Sequence, residues 1–396
     1  MSFEIALSGI NAINTSLDTI SNNIANSGTF GFKASRANFS SMYAGTQPTG
    51  AQIGSLTQSI SVGGGVLTTG RGMDATIQGR GFFVTKDSAG AMLYTRVGIF
   101  STDKNGVLVD ASGRKVQGYP MVPGSTTLGA FGDITVPTGQ VPAQASTQIK
   151  YVGNLSADWS VPTVTPFSPA DPQSYNSSMV SVVYDSLGTQ HTITQYFVKS
   201  ATPGQVDVRY TVDGGADAPL TSLTFGPTGQ LTSAASVAMP PIVLMPTAQD
   251  LNITLNYTGT TQFAGDSTTT VNSTDGFASG TLTGVELAKD GSVVAQYSNG
   301  QKQSVGKVAL ATFPNEGALT AVNDTSWTTS VDSGNALYFT PGTGMTGELT
   351  VGAIEQSNVD LTSELVSLMS SQRNYQANTK VISTENQMMQ SLMQAI

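Results

Sequence analysis

The spacing of apolar residues at the two ends of the chain limits its possible folds more than any other feature. Phe3, Ala6, Ile10, Ile13, Leu17, Ile20 and Ile24 follow one another at intervals of 3 and 4, an unbroken stripe across the first 24 residues. At the far end Leu361, Leu368, Tyr375, Ile382, Met389 and Ile396 recur at every seventh position, with Leu365 and Met393 at alternate places. Between those two, the alternate places hold Gln372, Thr379 and Asn386, polar choices that fix register while weakening a coiled coil. The opposite face of the first stripe carries Asn11, Asn14, Ser16, Asp18, Ser21 and Asn22, with almost no charge to support an isolated helix. A helix with one thin stripe is marginal alone in water. The two stripes most simply pair with each other, which predicts a coiled-coil-like helical core built from 1–24 and 360–396, with Asp360 capping the second helix. Such ends are expected to be ordered by assembly.

Inside the ends the pattern changes. From 25 to 70 helical periodicity fades into Gly, Ser and Thr, including Gly28, Gly31, Gly45, Gly50, Gly54 and Gly63–Gly65, which reads as an extended connector. Short apolar runs then alternate with turn signals: Gly81–Val84 before Asp87 and Ser88, Tyr94–Phe100 before Asn105 and Gly106, Val107–Val109 before Ser112 and Gly113. A second such set occupies 281–350, with turns at Asp290-Gly291 and Asn299-Gly300. Between the sets, 151–280 holds ten of the 17 prolines and nine Asp against one Lys and one Arg, which is −7 of the net −9. A strand-rich insert explains that shift. The expected class is therefore α+β, mainly β, with nested domains. These are a helical core, the connector 25–70, an inner β domain from 71–150 plus 281–359, and an outer β domain inserted as 151–280.

Composition removes several functions. Only 11% of the 396 residues are charged and the balance is acidic, so no broad cationic surface exists for phosphates and nucleic acid is not expected as a partner. With 39% hydrophobic residues the chain holds enough apolar mass to fold. It has no cysteine and one histidine, His191, which leaves neither a disulfide framework nor a rich set of metal ligands. The first residues lack the cationic start of a secretory signal, and no stretch reaches the length of a membrane span. Asp103, Asn105, Gly106 and Asp110 faintly suggest a calcium loop, but the glycine comes too early and no Glu closes it, so a hairpin turn is expected. Gly63–Gly72 is glycine-rich without a following Gly-Lys-Ser or Gly-Lys-Thr. No catalytic, cofactor or metal residues are expected. The acidic insert with Trp159 leaves open a secreted β-rich adhesin or a polysaccharide-active protein.

Three blocks of residues resemble bacterial flagellar axial proteins, the rod and hook family. They are Leu17–Lys33; Thr69–Asp74 with Gly81–Phe83 and Tyr94–Phe100; and Glu355–Leu361 with Gln372–Asn378. The first and last are common to rod and hook members. Length, the insert and the block Gly284–Phe313 select the hook branch over a distal rod subunit. The resemblance implies a subunit exported unfolded through the flagellar type III apparatus without a cleaved signal. It also implies a homopolymer that forms a curved tube, a universal joint carrying motor torque from rod to filament. Rod, cap and hook–filament junction proteins would be partners, with no membrane insertion. The helical ends would form the inner tube. Asn22, Asn23 and Asn26, with Asn358 and Asp360, would bond helix ends and neighbouring backbone. Phe30 and Phe32 would anchor between hinges at Gly28 and Gly31.

Overall fold

A computed structural model describes residues 2–122, 125, 127–244 and 248–395. Helix α1 (Ser2–Ala25) and helix α2 (Leu361–Ala395) flank a middle whose regular structure is almost entirely strand. Contacts divide the chain into two units: Met1–Thr138, Gly284–Gln296 and Lys302–Ile396 form one, Gly139–Thr283 and Tyr297–Gln301 the other.

In the first unit, α1 is followed by an antiparallel hairpin of β1 (Ser35–Ala44) and β2 (Gln47–Gln58). The stretch expected as an extended connector is thus paired strand over most of its length. β2 is longer than β1, and bulges at Asn38/Phe39 and Met42/Tyr43 absorb the difference. Three short strands follow: β3 (Val66–Thr68), β4 (Ala75–Gln78) and β5 (Phe82–Lys86), then β6 (Met92–Thr95). β3 pairs with Ala353–Glu355 and β4 with Glu348–Val351, so the chain's return leg closes on its outward leg.

The largest sheet runs through Lys302–Val308, Lys115–Pro120, β5, β6 and Ser326–Thr328. Phe82, Phe83 and Val84 are consecutive and all fully buried, as a strand covered on both faces requires. Phe82 meets Phe313 and Trp327 at centroid distances of 6.0 and 5.5 Å, and Tyr94 meets Phe313 edge-on at 4.7 Å. The Trp327 indole N–H donates to Gln58 Oε1 at 2.8 Å, which ties the end of β2 to this core.

Hairpins in both units close on one local device. In Asp87–Gly90, Asp103–Gly106, Asp110–Gly113 and Asp185–Gly188, the Asp Oδ1 accepts from the backbone N–H groups two and four residues on. The glycine N–H donates back to the Asp carbonyl, and each of these glycines has φ between 77° and 90°. The Asp103 carboxylate is engaged in such a turn.

The second unit contains an antiparallel meander of Ser177–Tyr184, Gln190–Lys199, Gln205–Val212 and Ala218–Thr224. A smaller sheet joins Ser236–Ala238, Thr254–Asn256, Gln148–Asn154 and Thr268–Thr274, with one parallel pair. Alternate side chains such as Ile193, Phe197, Val206 and Val208 pack with Ile149, Tyr151 and Tyr257. The buried Tyr257 hydroxyl donates to Gln195 Oε1 at 2.7 Å. His191 lies on the meander with Nδ1 2.7 Å from Asp213 Oδ2 and Nε2 3.7 Å from Asp185 Oδ2. Burial disfavours ionised Asp213, but bonds to His191 and Thr192 outweigh it and hold its pKa below the usual carboxylate value.

Candidate assembly site

The two terminal helices pack antiparallel. Asn23 of α1 faces Glu364 of α2, and a Cβ on Gly9 would meet Asn378 at 3.2 Å, so facing residue numbers add to 387. On α1, Ala6, Ile13 and Ile20 are buried, together with Ala12, Ser16 and Asn23. Ile10, Leu17 and Ile24 are half-buried, and Phe3 is 37% exposed. The expected stripe is therefore covered on one flank, which shifts the contact line towards Ser16 and Asn23.

α2 differs more from expectation. Its less exposed positions are Glu364, Leu368, Ser371, Asn378, Ile382 and Glu385. Leu368 and Ile382 of the expected seam thus face inward, with Tyr375 at its edge and 37% exposed. Their alternates are Glu364, Ser371, Asn378 and Glu385 instead of Leu365, Gln372, Thr379 and Asn386. Leu361 and Leu365 are each 46% exposed and Met389 is 60% exposed, so these three lie outside the contact within the chain; Ile396 lies outside the described residues. The reason is polar. Asn23, 1% exposed, donates Nδ2 to Glu364 Oε1 at 2.9 Å and to Ser35 O at 2.8 Å, and accepts from Ser35 N at 2.9 Å. Such a buried amide must be satisfied, and the rotation that presents Glu364 supplies the acceptor that Ser35 does not. The outcome is a helix pair with a half-polar contact line and uncovered apolar residues near both ends of α2.

The junction between helices and body is built from charge and amide groups. Lys33 is 1% exposed, and its Nζ donates to Glu355 Oε1 at 2.5 Å and to Val62 O at 2.6 Å. Glu355 Oε1 also accepts from Gly64 N at 3.0 Å, and Oε2 lies 3.7 Å from Arg96 Nη1. Arg96 donates to Ile77 O and Gly79 O and lies over the Phe82 ring. Burial pushes the Lys33 pKa down against the pull of Glu355, and burial likewise lowers that of Arg96. Lys33, Glu355 and Arg96 went unnamed as site residues in the sequence reading. The available signal was a lone Lys in a stretch of Gly, Ser and Thr.

The named hinge residues fall around this cluster. Asn358 accepts from Ala34 N at 2.7 Å and donates to Ser59 O and Val62 O. Asp360 caps α2, accepting from the N–H groups of Thr362 and Ser363 and from the Ser363 hydroxyl. The Ser363 hydroxyl and these backbone donors hold its pKa below the usual range. Asn26 donates to Asn22 O and Oδ1, closing the last turn of α1. Gly31 has φ +67°, donates its N–H to Glu355 O, and leaves no room for a Cβ, which would sit 2.9 Å from Val97. Gly28 has open space around it. Phe30 and Phe32 are half-buried; Phe30 lines a cavity of about 220 Å³ with Val97 and Ile99, and Phe32 one of about 530 Å³ with Trp327. Beside them a cleft of about 700 Å³ lies between α1, α2 and the base of the hairpin.

Two ends of one chain made into a helix pair, left apolar near both ends of α2 and tied to a β body by buried polar bonds, fit the class of structural subunits that assemble through their termini. Family models agree along the chain. Residues 3–33 match a flagella basal body rod protein, and 76–157 a flagellar hook protein FlgE/F/G D1 domain. Residues 154–277 match a flagellar basal body protein FlaE D2 domain, and 350–395 the C-terminal region of the flagellar basal body rod FlgEFG protein. The chain is 38% identical to the flagellar hook protein FlgE of Salmonella typhimurium strain LT2, over 99% of both chains. It is 37% identical to that of Escherichia coli K12, again over 99% of both, and 32% identical to that of Treponema pallidum, over 98% of this chain and 97% of that one. The crystal structure of Helicobacter pylori flagellar hook protein FlgE2 shares the fold at TM-score 0.52 and 13% identity, covering 72% of this chain and 98% of that one. The chain belongs to the flagellar hook protein family.

Proposed function

We propose that this hook subunit polymerises into a curved tube that joins rod to filament and bends while carrying torque. The observation that carries this reading is the helix pair itself. It spends its buried contacts on polar register, and leaves Leu361, Leu365, Val366, Met369, Met388, Met389, Leu392 and Met393 uncovered. Apolar helix surface of that extent, at both ends of α2, in a chain built to polymerise is a contact for other copies. A half-polar contact line supports repeated geometry without one rigid angle, which suits a joint.

In this reading the helical ends line the tube, the hairpin segment touches neighbouring subunits, and the β domains lie outward as 71–150 plus 281–359 and the insert 151–280. The residues named in the helical seam and the hinge act in assembly. The role is structural and not enzymatic, in a flagellar location outside the cell. Export runs through the flagellar type III apparatus without a cleaved signal, and rod, cap and junction proteins flank the polymer. Among the described residues no helix is long and apolar enough to cross a membrane, and no cluster of three or more His, Cys, Asp or Glu is arranged to hold a metal ion.

Electron microscopy of purified chain brought to polymerising salt tests the reading. Tubes are expected from the full chain and none from a variant lacking residues 2–20. Tubes from that variant would remove the helices from assembly.

A further inference from the structure

Lys33 and Asn358 face one another at the junction of helices and body. The Asn358 backbone N–H donates to Phe32 O at 3.3 Å and its side-chain Oδ1 accepts from Ala34 N at 2.7 Å, so these bonds flank Lys33 on both sides. The two side chains also converge. Lys33 Nζ and Asn358 Nδ2 both donate to Val62 O, at 2.6 and 3.0 Å, so the two nitrogens lie no more than 5.6 Å apart, the sum of those bonds. Glu355 Oε1 is 2.5 Å from the same Nζ. A primary amine, a carboxamide and a carboxylate therefore meet at one place, where the Lys33 and Glu355 side chains are 0% and 3% exposed.

The surroundings suit each group to a reaction between them. Two cations, Lys33 and Arg96, share the Glu355 carboxylate, and a guanidinium does not give up its proton in a protein. Burial, the largest influence on Lys33, lowers its pKa towards the neutral, nucleophilic amine; Glu355 opposes this and Arg96 adds to it. Glu355 is already in contact to take the proton. The Ala34 N–H points at Asn358 Oδ1, where negative charge develops when the amide carbon is attacked. Ser59 O and Val62 O hold the amide nitrogen in place.

We propose that Lys33 Nζ attacks Asn358 Cγ in the folded chain to form an intramolecular amide, a covalent tie between the segment leaving α1 and the segment entering α2. Glu355 takes a proton from the Lys33 ammonium, and the freed lone pair forms the bond from Nζ to Cγ. Glu355 then passes that proton to Nδ2 as the Cγ–Nδ2 bond breaks, and the electron pair of that bond leaves with the nitrogen. Nζ keeps one hydrogen on the new amide, its remaining proton goes with the departing ammonia as ammonium, and Glu355 ends ionised as it began. No oxidant or other co-reactant is needed. The event occurs once per chain, and holding the groups together replaces the encounter that makes such a step slow between free molecules. It needs one copy only, so it stands apart from the homopolymer reading.

Mass spectrometry of the folded full chain tests the bond. The intact chain is expected to be lighter than its sequence by one ammonia. Trypsin is expected to leave Lys33 uncut and to release a branched peptide that joins the stretch ending at Arg36 to 308–373, which has no internal Lys or Arg. A folded chain whose mass equals its sequence overturns the proposal. So does a loss of ammonia that maps to a cyclised Asn105 or Asn299, each of which is followed by glycine. Asn358→Asp is expected to lose water in place of ammonia, because the leaving group is then an oxygen, and a variant that still loses ammonia would place the reaction elsewhere and overturn it. Glu355→Gln, without a base at Nζ, is expected to keep its full mass; a Glu355→Gln chain that still forms the bond overturns the part given to Glu355. The wild-type mass decides the bond whether or not that variant folds.

Discussion

Lys33 Nζ and Glu355 Oε1 lie 2.5 Å apart in the interior, joining the first tenth of the chain to its last eighth. Removing one member of such a pair leaves the other's buried charge without the counter-charge nearest to it, although Lys33 keeps Val62 O and Glu355 keeps Gly64 N and Arg96. Lys33→Met is expected to destabilise the first unit by about 3 kcal/mol, and Glu355→Gln by a similar amount. The double variant Lys33→Met, Glu355→Leu should cost less than the two single losses combined. Urea titrations of the four proteins check this, and simple additivity would show that the two groups act independently.

The hinge contains two glycines with opposite requirements. Gly31 holds φ +67° against Val97, so Gly31→Ala is expected to cost about 1–2 kcal/mol or more. Gly28 has neither constraint, and Gly28→Ala should be neutral or stabilise by up to about 1 kcal/mol. Thermal unfolding of both variants separates a strained turn from a flexible joint, and equal effects would contradict the distinction.

Asn23 satisfies both backbone groups of Ser35 as well as Glu364. Asn23→Ala leaves them unpaired and should cost about 2 kcal/mol. Hydrogen exchange at the Ser35 amide is the direct readout, because that proton loses its acceptor. Slow exchange retained in the variant would mean that the hairpin start is held by something else.

Acid should weaken the second unit. Asp275 accepts from Thr147 and Gln148; burial opposes its charge, but these bonds prevail and lower its pKa, as they do for Asp213 and Asp185. A carboxylate whose folded pKa lies below its unfolded value stabilises fully above the unfolded value of 3.8, and that stabilisation fades as pH falls through the folded value. Unfolding midpoints should hold from pH 7 to about 5 and drop below about 4. Asp275→Asn should flatten the drop, and an unchanged slope would remove this carboxylate from the acid response.

How much of this was legible depended on whether the signal was local. The Asp87, Asp103 and Asp110 turns are set within five residues, and their glycines mark them in the sequence. The helical ends were visible as periodicity, because apolar spacing survives any choice of partner. The rotation of α2 was not, because α2 carries more apolar residues than one contact line uses, and the choice was made by Asn23 and Glu364, 341 positions apart. The hairpin of β1 and β2 was hidden for another reason. Its strands are largely exposed, with Phe39 54% and Leu56 60% exposed, so they lack the alternation that burial on one face imprints. The Lys33 cluster joins four separate stretches of chain, and no spacing rule reaches across them.

The wide separation of Lys33 from Glu355 also imposes an order in time. α1 is synthesised first, yet the groups that complete its docking, Glu355, Asn358 and Glu364, lie in the last eighth of the chain to be made. A product cut short by premature termination therefore has a first helix that meets only the hairpin, through Asn23 and Ser35. Only a chain made through Glu364 can complete the helix pair.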